Sequence, residues 1–341
     1  MSLIPVTILT GFLGSGKTTL LKRILTEAHG QKIAVIENEF GEENIDSDIL
    51  VSDTTENIIQ MSNGCVCCTI RDDLRVTLQD LAEKKRKGEI TFDRVVIETT
   101  GLADPGPVAQ TFFMDEEIAE QYLLDSILTL VDAKHAETQL TERLEARRQI
   151  GFADQIFISK SDLVAKEEVE ALMHRIKHMN PRAPQKTVHF GEVAIADVFD
   201  LRGFNLNAKL DIDPDFLKDD NAVDPDNLGP FLGQQKNSHH VHDDDVKSFV
   251  FKSDKYFDAA KLEDFLGAIV NIYGPRMLRY KGVLNMKGTE RKVIFQGVHQ
   301  LMGSDLGPIW AKGEKRGSKM VFIGINLPKD IFLQGMEQCL V

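Results

Sequence analysis

The chain of 341 residues has only four cysteines, and three of them lie within four positions. Thiols this close together do not form a disulfide framework, and they point to metal or redox chemistry in a reducing compartment. The apolar N-terminus has no basic stretch before it, and no later apolar run reaches the roughly 18 residues that a membrane helix needs. We therefore expect a cytoplasmic protein with no membrane partner.

Positive charge is also scarce relative to negative charge. The 40 Lys and Arg residues face 53 Asp and Glu residues, which gives a formal net charge of -13. Binding to a nucleic-acid backbone depends on a basic surface, so the charge argues against a nucleic-acid partner. Hydrophobic residues at 42% and charged residues at 27% are ordinary for a globular protein, and the length allows two domains.

The first half of the chain alternates short β-branched runs with helical patterns, which is typical of a parallel sheet covered by helices. The predicted strands are residues 5–9, 32–37, 94–98, 127–131 and 155–159. Their apolar residues are nearly continuous, as expected for strands buried on both faces. Apolar residues from Leu20 to Leu25 predict a helix that ends at Gly30. We predict a doubly wound α/β domain at residues 1–210.

The composition changes between residues 211 and 245, where aspartate, proline and glycine cluster and apolar periodicity disappears. This pattern predicts an acidic linker. It includes His239, His240 and His242, which fit either a loose metal site or a solvated tract, and we favour the solvated tract. Strand-like runs at 246–252, 282–286, 291–297 and 320–326, with a helical pattern around Leu262 to Ile269, predict a smaller α+β domain at residues 246–341.

Residues 11–18 fit the P-loop pattern. They are Gly11, Phe12, Leu13, Gly14, Ser15, Gly16, Lys17 and Thr18. Glycines let the backbone wrap around phosphate oxygens at the start of a helix. Lys17 places a positive charge on the β- and γ-phosphates, and the Thr18 hydroxyl can coordinate Mg²⁺. A chance match is disfavoured because a buried strand precedes the loop and an amphipathic helix follows it. We predict that these residues and Thr19 bind a nucleotide.

A second nucleotide motif is the hydrophobic run 94–98, which ends in Glu98 three residues before Gly101. This is the Walker B arrangement, whose acid holds the magnesium shell. Alone, the segment would equally fit a core strand with an incidental glutamate at its tip. Leu102 follows Gly101, where Ras-like enzymes carry a glutamine that orients the attacking water. Leucine cannot do this, so we expect slow intrinsic hydrolysis until a dimer partner, metal or client supplies the missing group.

The base-reading candidate is Ser159-Lys160-Ser161-Asp162, after a buried strand. The Asp162 carboxylate would accept hydrogen bonds from guanine N1–H and the exocyclic amine, whereas adenine would leave it unpaired. The stem of Lys160 would pack across the base. Ser159 stands where GTPases usually have asparagine, and we expect it to loosen the anchoring of this loop. Alone, a Lys-x-Asp at a strand end is more often a helix cap.

The cysteine cluster comprises Cys65, Cys67 and Cys68. Thiolates suit Zn²⁺, which takes four ligands, so three cysteines need a further ligand or leave an open position. Glu37 and Glu42 could add carboxylates to this metal, and Glu39 could approach Mg²⁺. A solvated loop is an equally good description of any one of these glutamates. We expect Cys339 to be a packed or exposed residue rather than a ligand.

Together these motifs resemble the CobW-type family of P-loop GTPases, which is related to UreG and HypB. The resemblance covers the P-loop at 11–18, an Asn-Glu-x-Gly switch within 37–41 and a CxCC motif at 65–68. It continues with Glu-x-x-Gly at 98–101, the base-reading loop at 159–162 and a C-terminal domain from 246 onward. It implies Mg²⁺-supported GTP hydrolysis to GDP that depends on Zn²⁺, with Co²⁺ or Ni²⁺ as alternatives. It further implies delivery of metal to client metalloproteins, and a homodimer is a possible assembly.

The function expected from these observations is a metal-responsive GTPase that acts as a metal chaperone. Metal at the cysteines and the γ-phosphate at the P-loop would both bias one switch region, so each would change the affinity for the other. One alternative is a metal buffer or sensor in which the nucleotide only locks the fold. Another is a P-loop small-molecule kinase, but the arginine-rich lid that a kinase needs is not evident in the sequence.

Overall fold

A computed structural model describes residues 3–27, 30–37, 70–204 and 244–341 of the chain. The predicted site residues outside these ranges are Glu39, Glu42, Cys65, Cys67, Cys68, His239, His240 and His242. The chain divides into two compact units. Unit 1 comprises Met1–His174 and Arg182–Phe204, and unit 2 comprises Arg175–Pro181 and Asn205–Val341. The predicted boundary at residue 210 and the linker to residue 243 lie outside the described residues.

Unit 1 contains a six-stranded sheet in the order β2-β3-β1-β4-β5-β6, and its strand pairs are parallel. The strands are β1 (Ile4–Gly11), β2 (Ile33–Glu37), β3 (Arg94–Glu98), β4 (Tyr122–Asp132), β5 (Gln155–Ser159) and β6 (Gln185–Val188). Because β1 lies between β3 and β4, the chain leaves β1 at the point where the strand order reverses, and ligands of doubly wound sheets bind there. The predicted doubly wound α/β fold is confirmed.

The described helices before residue 204 are α1 (Lys17–Thr26), α2 (Ile70–Lys87), α3 (Pro105–Met114), α4 (Glu116–Ala119), α5 (Ala136–Glu142), α6 (Leu144–Phe152) and α7 (Lys166–Met179). The apolar residues of α1 pack against strands β1, β2 and β3 in one core cluster. The helix ends at Thr26, earlier than the predicted end at Gly30, because the Glu27 N–H closes the last turn on the Arg23 carbonyl and Glu27 is extended.

Unit 2 contains an antiparallel sheet in the order β10-β9-β8-β11-β7. Its strands are β7 (Val246–Ser253), β8 (Met277–Asn285), β9 (Arg291–Val298), β10 (Leu301–Ile309) and β11 (Ser318–Ile325), and its helices are α8 (Ala259–Tyr273) and α9 (Lys329–Gln338). Phe249, Tyr280, Phe322 and Phe332 are buried in one hydrophobic core. Cys339 belongs to this core, which agrees with the expectation of a packed residue.

None of the helices within the described ranges combines the length and hydropathy that crossing a lipid bilayer requires.

Candidate nucleotide site

The predicted P-loop leaves the carboxyl end of β1 and enters α1. Gly11, Gly14 and Gly16 have φ angles of 146°, 73° and 98°. A side chain at Gly11 would also collide with the neighbouring strand, because a Cβ there would lie 2.5 Å from the Leu130 carbonyl oxygen. The sheet therefore fixes where the loop begins, and the left-handed backbone fixes how it turns.

Lys17 stands in the first turn of α1, and its side chain folds back over the loop. Its Nζ donates to the carbonyl oxygens of Gly11 at 2.9 Å and Phe12 at 3.4 Å. Burial lowers the pKa of the Lys17 ammonium, and the nearby Glu98 carboxylate opposes that shift. The charge is thus held by backbone carbonyls in a partly desolvated place, where an anionic phosphate would be a stronger partner.

Thr18 and Glu98 meet beside the loop, although 80 positions separate them in the chain. The Thr18 hydroxyl donates to Glu98 Oε1 at 3.2 Å. Glu98 ends β3, and its register partner on the adjacent strand is Glu37, the last residue of β2. A hydroxyl and carboxylate oxygens at this sheet edge form a set of hard oxygen donors of the kind that Mg²⁺ takes. The residues present therefore fit the predicted magnesium role.

Ser15 supplies a further sign that the loop is built for a ligand. Its Oγ is buried and has no hydrogen-bond partner among the described residues. A buried hydroxyl without a partner is costly, and a phosphate oxygen would satisfy it. The Ser15 carbonyl accepts a hydrogen bond from Ser159 Oγ at 2.7 Å. The expectation that Ser159 anchors the base-reading loop less tightly than asparagine stays a prediction, but the Ser159 hydroxyl does tie this loop to the P-loop.

The base-reading loop follows β5 directly. Lys160 adopts a left-handed conformation with φ of 55°, and its Nζ lies 2.8 Å from Asp132 Oδ2 at the end of β4. His135 Nδ1 lies 2.8 Å from the same oxygen, and the Lys134 N–H donates to Asp132 Oδ1 at 3.0 Å. Burial would raise the pKa of Asp132, but the contacts with Lys160 and His135 together hold it below its usual range. Asp132 is thus a charged anchor for Lys160.

Asp162 is exposed in the short 3-10 turn after Lys160. Its Oδ1 lies 3.5 Å from Nδ1 of His189, which follows β6. The next residue, Phe190, is 77% exposed with φ of 46°, and Gly191 approaches the backbone of α1 closely. The sequence analysis missed this third loop because it missed β6. The one sequence signal that could have indicated this loop is Gly191, because an isolated glycine often marks a turn.

The loop after Glu98 packs against the P-loop. A Cβ at Gly101 would lie 2.5 Å from the backbone nitrogen of Leu13 and 2.8 Å from its Cα, so only glycine allows this approach. The neighbouring Leu102 is 54% exposed. Its side chain carries no polar atom, as the sequence already indicated. Any group that orients water must therefore come from elsewhere.

Most of the predicted zinc ligands lie outside the described residues. In residues 3–27, 30–37, 70–204 and 244–341 there is no group of three or more His, Cys, Asp or Glu residues arranged to hold a metal. Cys65, Cys67, Cys68 and Glu42 lie outside these ranges. Glu37 is described, beside Glu98 at the sheet edge. The roles of all five in binding zinc stay predictions.

The fold and the site define a P-loop nucleotide-binding protein with a second α+β domain. Residues 5–187 match the family described as CobW/HypB/UreG, nucleotide-binding domain, and residues 246–340 match the cobalamin synthesis protein cobW C-terminal domain. The chain belongs to the CobW/HypB/UreG family. This confirms the resemblance inferred from the P-loop and the cysteine motif.

Several relatives match over most of their length. The zinc chaperone YjiA of Escherichia coli is 41% identical over 330 residues, covering 97% of this chain and 96% of that protein. The zinc-regulated GTPase metalloprotein activator 1 of Dictyostelium discoideum is 29% identical, covering 99% of this chain and 80% of the relative. The crystal structure of Zn(II)-bound YjiA GTPase from E. coli superposes with a TM-score of 0.76 at 35% identity, covering both chains fully.

Proposed function

We propose that this protein is a metal-responsive GTPase that hydrolyses GTP to GDP and phosphate and delivers zinc to client metalloproteins. The observation that carries the proposal is the 3.2 Å contact of Thr18 with Glu98 beside a P-loop closed by Lys17. Family membership and the names of its relatives, a zinc chaperone and a zinc-regulated GTPase activator, support the same activity.

We infer the nucleotide roles from the motifs, and the geometry supports them. Residues 11–19 bind the phosphates, and Lys17 stabilises the negative charge that develops on the transferred phosphoryl group. Thr18 and Glu98 would hold Mg²⁺, which would supply further positive charge at the phosphates. Asp162 reads guanine, and Lys160, fixed by Asp132, lies along the base. Leu102 leaves the attacking water without an orienting side chain, so basal turnover is slow.

The zinc role is assigned to Cys65, Cys67 and Cys68, with Glu37 and Glu42 as further ligands. Soft thiolates suit Zn²⁺, and Co²⁺ and Ni²⁺ are chemically reasonable alternatives. The position of Glu37 beside Glu98 supports a link between the two sites, because the neighbouring ends of β2 and β3 would serve one site each. Zinc affinity should then differ between the GDP-bound and GTP-bound protein.

We also propose a domain organisation, a compartment and an assembly for the protein. We assign residues 1–210 to the GTPase domain, 211–245 to an acidic linker and 246–341 to a domain that meets the client. We further propose that the protein acts in the cytoplasm, that it forms a homodimer, and that it has no nucleic-acid partner, which the net charge of -13 supports.

The test compares hydrolysis of GTP and ATP by protein purified without chelator, with Mg²⁺ present and with Zn²⁺ added stepwise. We expect GTP to be the preferred substrate and zinc to accelerate its turnover. Cys67→Ser should abolish the acceleration, whereas Cys339→Ser, at a cysteine buried in the core of unit 2, should retain it. Equal use of ATP would contradict the assignment of Asp162. A zinc response that survives in Cys67→Ser would contradict the proposed metal site, and turnover indifferent to zinc would favour a buffer.

A further inference from the structure

Helix α6 carries a buried glutamine beneath the loop that follows Glu98. Gln149 is 1% exposed, and its Nε2 donates to the carbonyl oxygens of Gly101 at 3.1 Å and Ala103 at 3.0 Å. A side-chain amide has two N–H donors, and here both are used on one loop. A single side chain thus fixes two carbonyls that lie two residues apart.

The helix that presents this amide is itself held in place. The Thr129 hydroxyl on β4 donates to the Gln149 carbonyl at 2.9 Å, which ties this turn of α6 to the sheet. The preceding residue, Arg148, lies 2.8 Å from Asp104 Oδ2 at the far end of the loop. Asp104 in turn caps α3. Gln149 therefore contacts the start of the loop, and the preceding residue of α6, Arg148, contacts its end.

These contacts help to fix the orientation of the loop, together with the hydrogen bond from the Ala103 N–H to the Thr100 carbonyl at 3.0 Å. In a trans peptide the C=O and N–H groups point in opposite directions. Fixing the Gly101 carbonyl on Gln149 therefore turns the Leu102 N–H away from α6, and the same reasoning applies to the peptide after Ala103. Gly101 also abuts Leu13 of the P-loop. The amide thus contributes to the orientation of the backbone that borders the P-loop.

We propose that Gln149 is a positioning residue for GTP hydrolysis, which holds the Gly101–Ala103 backbone in the orientation that the γ-phosphate requires. The proposal rests on the GTPase function proposed above. Gln149 points at backbone carbonyls rather than at the nucleotide, so it acts through the loop. Its removal should weaken the chemical step more than nucleotide binding, because binding depends on the P-loop and the base-reading loop.

The test compares Gln149→Leu with Gln155→Leu in the full-length protein. Gln155 is a matched control, since it is 4% exposed and its Nε2 donates to the Pro184 carbonyl at 3.2 Å, at the start of β5. For Gln149→Leu we expect kcat for GTP to fall at least about tenfold while KM changes less than about threefold, the pattern of a lost transition-state interaction. Gln155→Leu should keep the wild-type kcat. Rates are normalised to the sites that bind a fluorescent GDP analogue, which removes the contribution of unfolded protein.

The outcomes separate this inference from the function on which it rests. Wild-type protein that hydrolyses no GTP would overturn both. Active wild-type protein with equal kcat values for Gln149→Leu and Gln155→Leu would overturn the role of Gln149 alone, as would a rise in KM with kcat unchanged. If Gln149→Leu fails to fold, Gln149→Met, which keeps an unbranched side chain but lacks the donors, is measured in its place against the same criteria.

Discussion

Replacement of Gly101 by alanine tests whether the loop after Glu98 and the P-loop must touch. The new Cβ would lie 2.5 Å from the Leu13 nitrogen, about 0.9 Å short of the 3.4 Å at which ordinary contact begins. The obstructing atoms at Leu13 include backbone, which cannot rotate away. The two loops must therefore separate by close to 1 Å. A misplacement of about 1 Å at a catalytic site costs roughly 10²-fold in rate, and we expect kcat for GTP to fall by about that factor.

The assay is single-turnover GTP hydrolysis with Mg²⁺ and Zn²⁺, paired with titration of a fluorescent GDP analogue and thermal unfolding. Gly303→Ala is the matched control, because a Cβ there meets nothing within 4 Å and the residue lies on β10 of unit 2. We expect the control to behave as wild type. Hydrolysis by Gly101→Ala within twofold of wild type would refute the reasoning, since it would mean that the loop contact does not matter for the reaction.

Three further predictions concern stability, measured by urea unfolding. The pKa of Asp132 is held below its usual 3.8. The stability that its ion pair with Lys160 contributes is therefore present above about pH 4 and is lost as the pH falls through the folded-state pKa. The difference in unfolding free energy between wild type and Asp132→Asn should accordingly shrink below about pH 4. Asp244→Ala removes the carboxylate that lies 2.7 Å from the buried Arg175 guanidinium and should cost about 3–5 kcal/mol, and a cost below about 1 kcal/mol would contradict this. Gly267→Ala, in mid-helix with open space around it, should add about 0.5–1 kcal/mol, and destabilisation would show that the space is not free.

The central strands and the phosphate loop were predictable because their signals are local. Strands β1 to β5 are buried on both faces, so their apolar residues form continuous runs that mark them along the chain. The P-loop needs glycine and lysine at fixed spacing, and its three glycines adopt the backbone angles that this spacing implies. The fold class followed from these two kinds of signal, and the family followed from the P-loop together with the cysteine motif at 65–68.

Two of the four edge strands, β6 and β10, were missed for the opposite reason. β6 has four residues, of which only Val188 is buried, and β10 is mostly exposed and contains glycine and proline. Neither shows the alternation or the continuous apolar run by which strands are recognised. Missing β6 also hid His189 beside Asp162. The role of Gln149 could not be predicted from the sequence. A glutamine on an amphipathic helix is expected to face solvent, and only the structure shows its contacts with a distant loop.

For Ser159, the expectation from its residue type differs from the contact in the structure, and nucleotide affinity can test which of the two matters. As a departure from the usual asparagine it predicted a loosely anchored loop, yet its hydroxyl donates to the Ser15 carbonyl at 2.7 Å. Ser159→Ala removes this tie, worth about 0.5–1.5 kcal/mol, so affinities for GTP and ATP should both fall about two- to tenfold. Their ratio should hold, because Asp162 reads the base. Ser248→Ala, which loses a similar hydroxyl-to-carbonyl bond to His178 in unit 2, should leave both affinities unchanged. A changed ratio of the two affinities would mean that Ser159 contributes to guanine selectivity as well as to the anchoring of the loop.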